Sequence, residues 1–126
     1  MIMSDALKQL KKQLRKEWKA EIIRRNGFVG NNGKVTIACI PTFGKNGKFA
    51  VAVCSEDDKF KRKEGEYIAM RRIFEEDSGQ PCTFPRTEKE IFDFIINICD
   101  AISPPYYITY NAEDCYTITI GEQYGP

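Results

Sequence analysis

The 126-residue chain contains no histidine, a single tryptophan and no long run of apolar residues. Without histidine, a common zinc ligand and the usual base beside a cysteine nucleophile are both missing. The five cysteines are scattered and include no Cys-x-x-Cys pair, which also argues against a zinc cluster. No apolar run approaches the length of a membrane span. We therefore predict no catalytic residues, no metal, no cofactor and no membrane association.

The cysteine count and the first residues of the chain indicate the cellular compartment of the protein. Five is an odd number, and no signal-peptide pattern is present. Free cysteines are typical of a reducing compartment, whereas disulfide frameworks use even numbers of cysteines. These features predict a cytoplasmic protein.

The net charge of +1 conceals opposite charges at the two ends of the sequence. Residues 1–25 contain eight cations and three carboxylates, and residues 86–126 contain two cations and seven carboxylates. The two segments therefore have net charges of +5 and −5. Charges arranged in this way can attract each other within one subunit or between subunits.

The first 25 residues predict an amphipathic helix that Ser4 or Asp5 can cap. Apolar residues recur at spacings of three and four along one face, and lysines fill most of the rest: Leu7, Leu10, Leu14, Trp18 and Ile22. The segment NGFVGNNGK that follows is read as a breaker. We expect one domain, 1–126, in which a helical arm (1–25) stands beside a body (34–126). The arm covers its own core, or it pairs with another subunit in a homo-oligomer.

The remaining sequence predicts two β-hairpins and two further helices. VTIACIPTF and KFAVAVCSE flank GKNGK, in which Asn46-Gly47 is a hairpin signal. One helix is expected from about Gly65, and another over residues 88–102 after a Thr87–Glu90 capping box. SGQPCTFPRT is read as a loop, and YYITYNAEDCYTITI as a second hairpin turning at 111–114. The order predicts an α+β fold: an antiparallel sheet of two hairpins, an N-terminal amphipathic helix and two further helices.

The stretch KFKRKEGEYIAMRRIFEE combines cations and aromatic rings with the start of a helix. A helix start offers free N–H groups and partial positive charge, so it favours an anion. Arg62 can bind a phosphate through two hydrogen bonds, and Phe60 or Tyr67 offers a face for a base. The predicted ligand site comprises Lys59, Phe60, Arg62, Lys63, Tyr67, Asn46, Lys48 and Arg72. The alternative is a solvated basic loop balanced by Glu64, Glu66 and the acidic run before it.

The sequence of the same region resembles a pattern found in known proteins. VAVCSEDDKFKRKEGEYIAMRRI, after the GKNGK hairpin, resembles a pattern of small bacteriophage-encoded proteins, in which C-S-x-x-D precedes F-x-R-K-x-G-x-x-I-A-x-x-R. It is also similar to the phage Thoeris anti-defence sponge family, over about residues 34–73. The residues that fit the pattern are Phe60, Arg62, Lys63, Gly65, Ile68, Ala69 and Arg72. Glu66 departs from it, because a second basic residue is expected four places after Arg62.

The resemblance implies a protein that binds cyclic ADP-ribose-type immune signals without cleaving them, as an oligomer with ligand at subunit interfaces. The leading hypothesis is accordingly sequestration of a nucleotide second messenger, cyclic ADP-ribose-type or cyclic oligonucleotide, which blocks host antiviral signalling in the host cytoplasm. One alternative is a phage inhibitor of a host nuclease or a CRISPR effector. A nucleic-acid-binding module ranks last, because the total charge is close to zero.

Overall fold

The computed structural model describes residues 2–31, 34–54, 59–102, 106–111 and 115–120. Along the chain it contains α1 (Ile2–Arg24), β1 (Phe28–Asn31), β2 (Val35–Pro41), β3 (Asn46–Val53), α2 (Arg62–Phe74), β4 (Gln80–Thr83), α3 (Glu88–Ile102), β5 (Tyr106–Asn111) and β6 (Cys115–Ile120). The predicted α+β class is confirmed, with its N-terminal helix, two further helices and two antiparallel hairpins, β2–β3 and β5–β6.

Both hairpins belong to one sheet with the strand order β4-β3-β2-β1-β6-β5. β1 joins them, because it pairs antiparallel with β2 on one side and parallel with β6 on the other. The interpretation of NGFVGNNGK as a breaker was therefore wrong for Phe28–Asn31, which is buried throughout. Gln80–Thr83, read as a loop, is the edge strand β4. Pro81 is compatible with that position, since an edge strand can lack one ladder hydrogen bond.

The turn of the first hairpin lies earlier than predicted. Asn46 and Gly47 are the first residues of β3, and the reversal is made by residues 42–45. Gly44 has a φ of +61°, a conformation that glycine adopts without steric cost. Gly47 is needed for packing instead, because a Cβ there would lie 3.0 Å from both the Ile40 carbonyl oxygen and the Phe84 side chain. The predicted turn at 111–114 falls partly on residues 112–114, which lie outside the described residues.

The sheet carries a hydrophobic core on each face. One core contains Ile22 of α1 and Met70 of α2, packed on strand residues such as Ala38 and Ala50. The other contains Ile95 of α3, packed on residues such as Ile37 and Cys39. α1 and α2 therefore lie on one face of the sheet and α3 on the other. The part of the chain that the structure describes includes no helix with the length and apolarity to cross a membrane.

The second half of α1 packs on its own chain. Ile22 is buried, and the Trp18 ring stacks on Tyr67 and Phe74 of α2 with centroid distances of 5.5 and 6.3 Å. The first half is different, since the Leu7 and Leu10 side chains are 53% and 55% exposed. The apolar stripe predicted for this helix thus covers the chain's own core at one end and meets solvent at the other.

α2 begins at Arg62 rather than at Gly65, so the glycine lies in the first turn of the helix. Its lack of a side chain is required by β2, because a Cβ at Gly65 would lie 2.3 Å from the Thr36 hydroxyl. The start of α3 is as predicted. The Glu90 amide donates to Thr87 Oγ1 (3.1 Å), and the Thr87 amide donates to Glu90 Oε2 (3.4 Å), which is the reciprocal capping box.

Candidate anion-binding groove

α1 and α2 lie side by side and run in the same direction. Lys11 pairs with Glu64 (3.5 Å) near the start of α2, and the Arg25 guanidinium lies 5.8 Å from the Phe74 ring centroid at its end. This arrangement places the basic residues in the middle of α1 beside the first turns of α2. The cations of both helices are thereby concentrated at one place on the surface.

A groove of about 270 Å³ lies between these two segments. Four cations of α1 and one of α2 line it, together with one carboxylate and one aromatic ring: Lys8, Lys11, Lys12, Arg15, Lys63, Glu64 and Tyr67. The α1 cations follow the spacing i, i+3, i+4, i+7, which places them on one helical face. Five cations facing one carboxylate give the groove a strongly positive potential, which favours an anionic ligand.

Tyr67 forms the aromatic part of the groove and is itself held on several sides. It is 8% exposed, and Trp18 stacks on it at an interplanar angle of 29°. Lys11 Nζ and the Arg71 guanidinium lie 5.3 and 5.5 Å from its ring centroid, within the range of cation–π attraction. Burial acts to lower the pKa of Arg71, but hydrogen bonds with Glu76 and Tyr67 outweigh it and raise that pKa. The Tyr67 ring therefore helps to position the Lys11 and Arg71 side chains.

Glu66, directly below the groove, is completely buried and sits among three cations. Its carboxylate oxygens lie 3.6 Å from Arg15 Nη1, 3.5 Å from Lys19 Nζ and 3.6 Å from Arg62 Nη1. Neither oxygen accepts a hydrogen bond from a described residue. A buried carboxylate is stable only where opposite charges compensate its loss of water, and here both helices supply them. Glu66 thus fixes Arg15 at the edge of the groove.

Glu66 with its three cations and the neighbouring groove together carry an excess of positive charge. Seven cations surround the carboxylates of Glu64 and Glu66: Lys8, Lys11, Lys12, Arg15, Lys19, Arg62 and Lys63. Cations held this close repel one another, and an anion in the groove lowers that repulsion. The arrangement is suited to binding a phosphate group.

The structure brings only part of the predicted site to this groove. Lys63 and Tyr67 line it, and Arg62 faces Glu66. Phe60 lines a separate, smaller cavity, and Lys59 is exposed.

The other three predicted residues lie elsewhere. Asn46 is exposed at the start of β3. Lys48 pairs with Asp77 at 2.7 Å, and Arg72 donates a hydrogen bond to the Val51 carbonyl. The hydrogen bond that Lys48 donates lowers the pKa of Asp77. Lys48 and Arg72 make their contacts at the far end of α2, away from the groove.

The four α1 cations of the groove were absent from the predicted site: Lys8, Lys11, Lys12 and Arg15. Their spacing on one helical face is a signal visible in the sequence. These cations line a groove only because α1 packs parallel to α2, and the charge pattern alone does not predict that packing.

Comparison with known protein families, characterised proteins and solved structures found no match to this chain. The functional argument therefore starts from the chemistry of the groove.

Proposed function

We propose that the groove between α1 and α2 binds the phosphate groups of a nucleotide second messenger, of the cyclic ADP-ribose or cyclic oligonucleotide type. The observation that supports this is the set of five cations and one aromatic ring around about 270 Å³, with Glu64 as its single carboxylate among the described lining residues. Lysine and arginine are the usual protein ligands of phosphate. The protein holds the signal without cleaving it and so blocks host antiviral signalling in the cytoplasm.

The size of the groove agrees with binding of part of such a ligand. Pockets that enclose a drug-sized molecule measure about 300–1,000 Å³, so 270 Å³ is just below that range. Phosphates and the adjoining sugar fill this space, and the remainder of a dinucleotide extends out of it. A second copy of the chain can cover that remainder, which agrees with ligand binding in a homo-oligomer.

Isothermal titration against cyclic mono- and oligonucleotides and cyclic ADP-ribose isomers tests the proposal. We expect one of them to bind and to be recovered intact after the protein is heat-denatured. Recovery of a cleaved product would identify an enzyme instead. No binding across the panel would contradict the proposal.

A substitution in the groove locates the ligand. Lys12→Gln removes one charge-assisted contact, and such contacts contribute about 1.5–3 kcal/mol, so affinity should fall about 10- to 100-fold. Lys89→Gln is the matched control, because Lys89 is an exposed lysine on α3, across the sheet. Equal affinities of the Lys12 variant, the control and the parent would show that the ligand binds outside the groove.

One observation favours nucleic acid as a second candidate ligand. Lys8, Lys12 and Lys16 are all exposed and follow one row of α1 at intervals of four residues. A row of lysines suits a phosphate backbone, whose binding weakens steeply as salt rises. Fluorescence anisotropy with a labelled oligonucleotide between 50 and 200 mM salt separates the candidates. Tight oligonucleotide binding with that salt dependence, and no small nucleotide bound, would favour this second function.

A further inference from the structure

Tyr67, the one aromatic residue among the described lining residues of the groove, has no open ring face. The residue is 8% exposed, the Trp18 ring stacks on it with centroids 5.5 Å apart, and Lys11 Nζ lies over it at 5.3 Å. A nucleobase that stacked on Tyr67 would have to displace one of these groups. The groove therefore offers a base no stacking surface, contrary to the role that the sequence suggested for Tyr67.

The other lining residues do not suit recognition of a base edge either. Those besides Tyr67 are five cations and Glu64. Asn, Gln, Ser and Thr side chains, which commonly hydrogen-bond to base edges, are absent from the described lining. The groove therefore selects its ligand by negative charge, and the base of a bound nucleotide lies outside it.

Arg15 brings to the groove hydrogen-bond donors that its ion pair does not use. Its Nη1 lies 3.6 Å from Glu66 Oε1, and neither oxygen of Glu66 accepts a hydrogen bond from a described residue. Glu66 thus balances the charge of Arg15 and accepts none of its N–H groups. A guanidinium presents these donors as a planar fork that fits two oxygens of one phosphate. Because the Arg15 side chain is only 12% exposed, the protein around it restricts the orientation of the fork.

The cations of α1 extend over a length that one phosphate does not cover. Lys8 and Arg15 are an i, i+7 pair, about 10 Å apart along the helix axis, and two further lysines of the groove lie between them. Lys63 lines the same space from α2. Five cations and one carboxylate leave the groove with four net positive charges. Two phosphates joined through one oxygen carry twice the charge of a single phosphodiester in a compact volume, so they match this row of cations better.

We infer that the groove binds two phosphates joined through a shared oxygen, a pyrophosphate linkage, and does not recognise the base. The Arg15 fork holds one phosphate, and Lys8 and Lys63 hold the other. This inference rests on the function proposed above and narrows its ligand. Cyclic ADP-ribose-type signals contain such a linkage, whereas sugars separate the phosphates of cyclic oligonucleotides.

Isothermal titration of the full-length protein at low ionic strength tests the inference with nucleotides that differ in one feature at a time. ADP-glucose, UDP-glucose and GDP-glucose differ only in the base, and we expect their affinities to agree within about threefold. ADP-ribose and cyclic di-AMP both carry adenine and two phosphate charges, but only ADP-ribose has its phosphates joined. ADP-ribose should therefore bind at least about tenfold more tightly than cyclic di-AMP.

The possible outcomes separate this inference from the proposed function. Tight binding of only one base, or equal binding of ADP-ribose and cyclic di-AMP, would overturn the inference, and the proposed function would stand if a cyclic ADP-ribose isomer bound. Binding of the joined-phosphate compounds without binding of any cyclic signal would support the inference and contradict the proposed function. No binding of any compound would contradict both.

Removing the single described carboxylate of the groove gives a test by gain of affinity. Glu64→Gln releases Lys11 from a 3.5 Å ion pair and makes the groove more positive, so ADP-ribose should bind about fivefold more tightly. Asp93→Asn is the matched control, because Asp93 is similarly exposed and also pairs with a lysine, Lys89, but lies on α3 across the sheet. It changes the net charge of the protein equally and should leave the affinity unchanged. If the two variants bound ADP-ribose equally, the ligand would lie outside the groove and the inference would be overturned.

Arg15→Lys tests the fork itself. The lysine keeps a positive charge beside Glu66, but a single ammonium replaces the planar donors. Affinity for ADP-ribose should fall about tenfold, while the melting temperature without ligand changes little. An affinity equal to that of the parent would remove Arg15 from the site and overturn the inference.

Discussion

At the scale of single residues, Glu66 is buried in the structure, although its neighbours in the sequence suggest that it is exposed. It lies between Gly65 and Tyr67 in a basic stretch, and the alternative interpretation of the sequence makes it a carboxylate that balances a solvated basic loop. In the structure it is 0% exposed and in contact with cations of two helices. Glu66 thus has a definite packing role between α1 and α2. Two of its three cations, Arg15 and Lys19, lie more than 40 positions away in the sequence.

Replacing Glu66 tests this role. Glu66→Gln keeps the size of the side chain and leaves Arg15, Lys19 and Arg62 without their shared counter-charge. Breaking a buried ion pair by removing one partner costs roughly 3–5 kcal/mol, and these cations retain some water, so we expect a loss of about 3 kcal/mol. Urea denaturation measures this loss as a lower transition midpoint.

Glu64 provides the control for that experiment. It pairs with Lys11 at 3.5 Å, but its side chain is 50% exposed. Glu64→Gln should therefore change stability by less than about 1 kcal/mol. If Glu66→Gln were as stable as Glu64→Gln, the carboxylate of Glu66 would contribute nothing to the packing of α1 on α2.

At the scale of elements, locally determined structures were predicted well, and structures that depend on distant partners were not. The capping box of α3 is encoded by Thr87 and Glu90 themselves, and it was predicted at the correct residues. β1 was missed because glycine and asparagine surround Phe28 and Val29. The side chains of Phe28 and Val29 are buried in opposite cores of the sheet, and this burial stabilises the strand. The groove was predicted only in part for the same reason, since Lys63 and Tyr67 are local to α2 and the α1 cations are not.

The C-terminal turn of α1 gives a prediction about pH. Arg24 donates to both oxygens of Glu21 (2.8 and 2.5 Å), and Arg25 donates to Glu21 Oε2 (2.6 Å). These hydrogen bonds, with Arg24 first, lower the pKa of Glu21 from 4.5 to about 2. Because the pKa is lowered in the folded state, the stabilisation is complete above pH 4.5 and disappears as pH falls through 2.

Thermal melts of the parent and Glu21→Gln, followed by circular dichroism from pH 6 to pH 2, measure this effect. The parent should melt at the higher temperature at pH 6, and the gap should close between pH 4.5 and pH 2. Asp77, whose pKa is also lowered, is present in both proteins, so its contribution cancels from the difference. A gap that stays constant down to pH 2 would show that these hydrogen bonds do not form in solution.

At the scale of the whole molecule, the cations of α1 and α2 and the described carboxylates of α3 lie on opposite faces of the sheet. The basic face is formed by α1 and α2. The exposed carboxylates of α3 lie across the sheet from it: Glu88, Glu90, Asp93 and Asp100. The sheet separates these surfaces within one chain, so close contact between them requires two copies of the chain. This geometry supports the proposed homo-oligomer, with the exposed first half of α1 as its contact.

Deleting residues 1–25 is a poor test of that assembly, because Trp18 and Ile22 pack on the chain's own core. Leu7→Gln with Leu10→Gln removes the exposed apolar surface and retains good helix formers. We expect the parent to scatter light as a multiple of 14.5 kDa and the double variant to approach 14.5 kDa, with an unchanged circular dichroism spectrum. Ile23→Gln is the control, since Ile23 is 56% exposed at the other end of the helix, and it should keep the parent's mass.

Because opposite charges across the contact are screened by salt, raising the ionic strength should also lower the parent's mass. A monomeric parent, or a double variant with the parent's mass, would show that Leu7 and Leu10 do not hold subunits together.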